Sequence, residues 1–205
     1  MAQRERRALV DSMTEAGPDA GTLCGTWTVR DLAAHLVVRE RRPDASPGIL
    51  LAPFAGYLES VQNKTARRPF PDLLEQVRTG PPWWSPLRPV DAVVNLTEMF
   101  VHHEDVRRAR TGWEPRELPD GDEARLWKLL HRLGRMAYRK SPVRVVLENP
   151  AGERIVARDA AGEGVVLAGP ASELVLHAFG RDQVRLRATG DEADIAAVNA
   201  CDRSV

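Results

Sequence analysis

Residues 27–42 read WTVRDLAAHLVVRERR, and the reading of the chain starts from them. Thr28 is a good helix N-cap, and Asp31 three residues on completes a capping-box pattern. Leu32, Leu36 and Val38 give the following helix an apolar side, and Pro43 ends it. His35 sits beside that apolar side, an odd place for a polar ring. A lone histidine there is most often a satisfied core residue; the alternative is a ligand.

Outward from this helix the first part of the chain reads as more helices. Residues 4–15 place Leu9 and Met13 at i, i+4 spacing and stop at Gly17-Pro18. Pro47-Gly48 marks a loop, and Pro53 can open a helix that runs to about Ala66. A short helix over 72–78 precedes TGPPWWSPLRPV (79–90), whose four prolines in twelve residues make a rigid extended connection. Trp83 and Trp84 in that connection either line a pocket or pack against the next helix. That helix follows Pro89, runs through DAVVNLTEMFVHHEDVRRAR (91–110) and ends at Gly112. Another spans roughly residues 122–139, with Leu126, Leu129, Leu130 and Leu133 along one side.

The character changes at Ser141-Pro142. VRVVLENPAGERIVARDAAGEGVVLAG (143–169) reads as three short strands, turning at 149–152 and 160–162. Pro170 opens a helix that closes on Gly180, followed by a strand over 184–189 and a terminal helix over 191–199. The expected architecture is mainly α with a small α+β C-terminal part. Residues 1–140 form a helix bundle with a four-helix core. Residues 141–205 form an α+β unit too small to bury much surface alone and so packed on the bundle.

Composition narrows the function. The 205 residues carry 29 basic and 29 acidic side chains, balanced in both halves, which argues against nucleic-acid and anionic-membrane partners. Of the basic residues 26 are arginine, scattered along the chain, a bias we read as the mark of a GC-rich genome rather than of bidentate anion contacts. No apolar run reaches the ~18 residues of a membrane span. The N-terminal residues lack the apolar core of a secretory signal, so a cytoplasmic protein is expected. Cys24 and Cys201 make neither a disulfide framework nor a zinc knuckle and read as incidental.

Chemistry concentrates on the helix after Pro89. Glu98 and His102, four residues apart, share one face with Val94, Val101 and Asp105, and that face points toward the bundle interior. His103 lies about 140° round the axis from Glu98 and reads as a surface residue. A buried carboxylate without a cation is costly, and a divalent metal held by one carboxylate and two imidazoles removes that cost. His35 supplies the second imidazole, and inward-facing ligands from two helices are the usual construction of a bundle-core metal site. Two nitrogens and one carboxylate favour zinc over magnesium. Asp105 either orients an imidazole or forms a helix-end salt bridge. Asp31 could also reach His35, but its capping role already accounts for it. Arg181 is the best candidate for an anionic substrate group. His131 and His177 default to structural or surface roles.

WTVRDLAAHLVVRE resembles the W-T-v-R-D-l-x-x-H-L segment of the mycothiol-dependent maleylpyruvate isomerase N-terminal family, within the DinB (YfiT-like) superfamily. TEMFVHHEDVRRA (97–109) resembles that family's E-x-x-x-H-H-x-D helix. The resemblance implies a DinB-like bundle whose divalent metal, usually zinc, is bound by His35, Glu98 and His102. GPASELVLHAFGR and VRLRATGD resemble the sterol-carrier-like domain that trails the bundle in the actinobacterial proteins, here in shortened form. The activity so implied is that of an S-transferase or cis–trans isomerase. It would use mycothiol as its low-molecular-weight thiol, activated as thiolate by the metal, on a small electrophile. The alternative is a non-catalytic metal- or small-ligand-binding protein with the same site.

Overall fold

The computed structural model describes residues 1–45, 51–83 and 94–203, with the side chains of Ala52, Val94 and Asn95 also outside the description. The chain forms two units, Met1–Trp113 and Glu114–Val205.

The first unit contains α1 (Ala2–Ala16), α2 (Val29–Arg41), α3 (Ala55–Ala66), α4 (Phe70–Thr79) and α5 (Val94–Arg107). The start of the helix expected after Pro89 and the Pro47-Gly48 turn lie outside the described residues. The capping box forms as expected. Thr28 Oγ1 accepts from the Asp31 backbone N–H, and Asp31 accepts from the Thr28 N–H at 2.9 Å. Four helices share one core: Leu9 and Met13 from α1, Leu32 and Leu36 from α2, Leu73 and Val77 from α4, Met99 and Val106 from α5. Arg6 and Glu40 form an ion pair inside it, each at most 2% exposed. Arg6 also donates to the Val77 carbonyl at 2.7 Å, joining α1, α2 and α4. Gly80 ends α4 at φ +73°, and a side chain there would press on the Arg6 guanidinium.

The second unit contains α6 (Asp120–Ala137), β1 (Val145–Glu148), β2 (Arg154–Arg158), β3 (Val165–Ala168), α7 (Ala171–Ala178), β4 (Arg187–Thr189) and α8 (Glu192–Ala200). The sheet order is β2-β1-β3-β4, with β1 antiparallel to β2 and parallel to β3, and β4 antiparallel to β3. The first expected hairpin, turning at 149–152, joins β1 to β2; the second, at 160–162, does not form, because β3 pairs in parallel with β1 and not with β2, so that turn belongs to a crossover connection.

The domain boundary differs from the expected residue 140. The helix over Asp120–Ala137 packs on α7 and β2, so it belongs with the sheet. The physical reason lies in its apolar side. Leu126, Leu130 and Ala137 are buried, and Gly134 lets the helix approach until an added Cβ would sit 3.3 Å from Ala157 and Leu147. A four-stranded sheet needs one face covered; α6 packs against β2, and α7 packs in turn against α6. Among the described residues no helix is long and apolar enough to cross a membrane.

Candidate metal centre

The capping box starts α2 so that His35 falls one turn further along, and α5 carries Glu98 and His102 at i, i+4. The fold brings these three side chains together. His35 Nε2 lies 3.5 Å and His102 Nε2 3.2 Å from the same atom, Glu98 Oε1. The ligand atoms of the three residues all fall within 4.8 Å of one another. The cluster is not sealed inside the bundle, as the helical face alone suggested. The side chains of His35, His102 and Glu98 keep 15%, 12% and 23% of their surface exposed.

Each imidazole is held through its other nitrogen. His102 Nδ1 lies 2.9 Å from Asp105 Oδ2, so of the two readings of Asp105 the structure supports orientation of an imidazole. The Gln62 amide nitrogen lies 2.8 Å from His35 Nδ1. In that arrangement the amide N–H donates and Nε2 carries the ring proton that faces Glu98. Turning the carboxamide over puts its oxygen against Nδ1–H and frees the Nε2 lone pair for a cation. The Trp27 ring packs against His35, with centroids 5.1 Å apart. Arg39 Nε adds a third positive or donor group, 3.4 Å from Glu98 Oε1.

The electrostatics follow from these contacts. Burial works to raise the Glu98 carboxyl, but hydrogen bonds from His102 and His35 and the nearby charges of His102 and Arg39 bring it well below the usual range. Burial pulls the His102 imidazole down, and hydrogen bonds with Asp105, Cys24 and Glu98 outweigh it, holding the ring well above its ordinary value. His35 is lowered, chiefly by burial. These shifts favour the charged form of Glu98, the protonated form of His102 and the neutral form of His35.

Other readings change. Cys24 is not incidental: its Sγ donates to Asp105 Oδ2 at 3.0 Å and lies 3.7 Å from His102 Nδ1. The turn that presents it is closed by Thr22 and Val29 donating to Trp27 and Ala20, and Leu23 N–H is tied to the Asp105 carbonyl at 3.1 Å. His103 is not at the surface. It is 3% exposed, with Nδ1 3.0 Å from Glu5 and Nε2 3.0 Å from Ser12, because α5 also packs along α1 and so buries a second face. Trp83 is 81% exposed, while Trp84 lies outside the described residues. Arg181 belongs to the second unit, where it donates to the Phe179 carbonyl at 2.5 Å. His131 is exposed, and His177 is buried against the Tyr138 hydroxyl at 2.5 Å, a structural role. Sequence reasoning missed Gln62 and Arg39. Gln62 carries no signal of its own, whereas Arg39 follows His35 by one turn and could have been paired with it.

A helical unit with two histidines and one glutamate converging from two helices defines a class, the bundles built around a carboxylate–imidazole cluster. Residues 2–80 match the family described as Mycothiol maleylpyruvate isomerase N-terminal domain, a similarity that covers the N-terminal part of the first unit. The matched stretch includes His35, Arg39 and Gln62 and ends before Glu98 and His102. Comparison with curated proteins and with solved structures gives no match.

Proposed function

We propose that the first unit, read as a DinB-like bundle, holds a divalent metal on His35, Glu98 and His102, zinc by the chemistry of the donors. It would use mycothiol, as an S-transferase or a cis–trans isomerase, on a small electrophilic substrate. The observation that carries this reading is the convergence of two Nε2 atoms and one carboxylate oxygen within 4.8 Å. The residues present fit such an ion: both rings have a polar partner on the nitrogen that faces away, as metal-ligating histidines do. His35, Glu98 and His102 would hold such an ion with room for a small thiol to bind it. When bound, the ion supplies Lewis acidity that lowers the pKa of a coordinated thiol, so that thiolate is available near neutral pH.

The chain's own residues account for the rest. Asp105 accepts from His102 Nδ1–H and so leaves Nε2 to face the cluster. Gln62 does the same for His35 once its oxygen is turned inward. Arg39 stabilises the charged form of Glu98 and restricts where its carboxylate points. The partial exposure of the three side chains suits access by a small thiol and a small electrophile. A cytoplasmic, actinobacterial setting belongs to the same reading.

Elemental analysis of the purified full chain is the first test. About one divalent ion per chain is expected, lost in His35→Ala and in His102→Ala. A metal-free wild type with intact helical circular dichroism sinks the proposal. Consumption of mycothiol against a panel of electrophiles then separates an enzyme from a binder. A metal-loaded protein that neither consumes nor binds the thiol leaves only the non-catalytic reading.

A further inference from the structure

The arginines are scattered in sequence, yet the second unit gathers four of them. Arg135 near the end of α6, Arg139 just beyond it, Arg144 just before β1 and Arg158 at the end of β2 line one cavity of about 490 Å³. The only carboxylate in its lining is Asp159. Helix α6 explains two of the four, because cations near a helix C-terminus are favourable and Arg139 donates to the Met136 carbonyl at 3.1 Å. It does not explain the two that come from the sheet.

Arg144 and Arg158 stand out in another way. The Nε of each is buried and has no hydrogen-bond partner among the described residues. Arg41 and Arg203 share an unpartnered Nε, but Arg41 donates to Gln76, Thr79 and Gly80 through its terminal nitrogen, and Arg203 donates to Val198, Asn199 and Asp182. Arg144 and Arg158 make no such side-chain bonds among the described residues. Buried donors left unsatisfied are rare and costly, and like charges brought together add to the cost.

The backbone fixes both residues in place. Val165 N–H donates to the Arg144 carbonyl at 2.9 Å, and Gly164, at φ +69°, passes so close that an added Cβ would fall 2.3 Å from that oxygen. Arg158 is paired with Val145 across the β1–β2 ladder, next to an irregularity in register between Val145 and Val146. Such irregularities re-aim side chains at a sheet edge, and β2 is an edge strand.

We propose that this cavity binds a small molecule bearing a phosphate monoester or diphosphate group. Four guanidinium groups against one carboxylate match a dianion or higher charge better than a single carboxylate. The planar fork of arginine suits phosphate oxygens in pairs. The size is that of a small-molecule site, roughly 300–1,000 Å³, and the balanced charge of the whole chain argues against a nucleic-acid track. Val156 on the same wall is 40% exposed and offers an apolar surface to the organic part of the ligand.

Calorimetric titration of the full chain at constant ionic strength with inorganic pyrophosphate and with phenyl phosphate tests this. Saturable binding at about one site per chain is expected, weakened by about tenfold or more in Arg144→Gln/Arg158→Gln. Arg154→Gln, on the same strand but outside the cavity, should leave it unchanged. Arg135→Gln, an exposed helical change that threatens folding least, should weaken binding about threefold or more. Absence of saturable binding by the wild type overturns the proposal. So does unchanged affinity in the Arg135 variant, or in the double variant with native circular dichroism. Tighter binding of a single-stranded oligonucleotide or of phosphatidylglycerol vesicles than of either probe, with the same arginine dependence, overturns it in favour of a polyanion surface.

Discussion

Around α1, α2 and α5 the charged side chains meet partners: Arg6 with Glu40, His103 with Glu5 and Ser12, Glu98 with His35, His102 and Arg39. Beside β2 in the second unit, four arginines share a cavity with one carboxylate, and two buried Nε atoms have no acceptor among the described residues. The contrast separates two ways of keeping charge in a fold. A paired cluster is self-sufficient, so the proposed metal would have to rearrange its contacts on entering. An unpaired cluster carries its cost until an anion arrives, and then gains contacts without giving any up. The first kind stabilises the apoprotein, and the second ties part of the unit's stability to its ligand.

The comparison can be broken most severely at the buried ion pair. Arg6→Met takes the guanidinium away from the buried Glu40 carboxyl and should cost about 3–5 kcal/mol, read as a lower urea midpoint. A loss below about 1 kcal/mol would mean that the pair behaves like a surface one.

Next comes His177, the second unit's own buried ring. Burial, helped by the Arg203 charge, brings its pKa down to about 4. The unfolded chain takes up a proton at the ordinary value of 6.5 while the folded one refuses it. Stability is therefore complete above pH 6.5 and falls as pH drops toward 4, by roughly 3 kcal/mol in all. Urea midpoints at intervals across that window should show the slope, and His177→Gln should flatten it.

A smaller effect sharpens the reading of the paired cluster. Asp105→Asn keeps the shape but weakens the hold on His102 Nδ1, so metal affinity should fall about 10- to 100-fold with little change in fold. Unchanged affinity in a chelator competition would show that Asp105 serves only the turn carrying Cys24. The smallest effect belongs to an exposed pair. Arg154 donates to Glu148 at 2.6 Å but is 63% exposed, and Arg154→Ala should cost under about 1 kcal/mol.

Much of the candidate metal centre was legible because its signals are local. Glu98 and His102 are one helical turn apart, and His35 lies one turn beyond a capping box, so periodicity and capping sufficed to aim them. His103 was misread for the complementary reason. Periodicity identifies one buried face, whereas α5 has two, and only its packing on α1 reveals the second. Gln62 and Cys24 reach the cluster from α3 and from a turn, and no spacing rule links them to it. The domain boundary shows the same limit. The leucine stripe on α6 announced a buried face but not whether another helix or a sheet would cover it.

The sequence by itself determined the helices and strands, the balance of charge, the family resemblance at residues 27–40, and the pairing of His35, Glu98 and His102 as one candidate set. Each depends on side chains within a few residues of one another, where backbone geometry alone sets the spacing. Tertiary structure decided that α6 joins the sheet, that His103 is buried, that Cys24 and Gln62 attend the imidazoles, and that four scattered arginines share a cavity. Those outcomes depend on which apolar faces meet. Burial brings together residues far apart in the chain, and no local rule records which polar groups will be carried along.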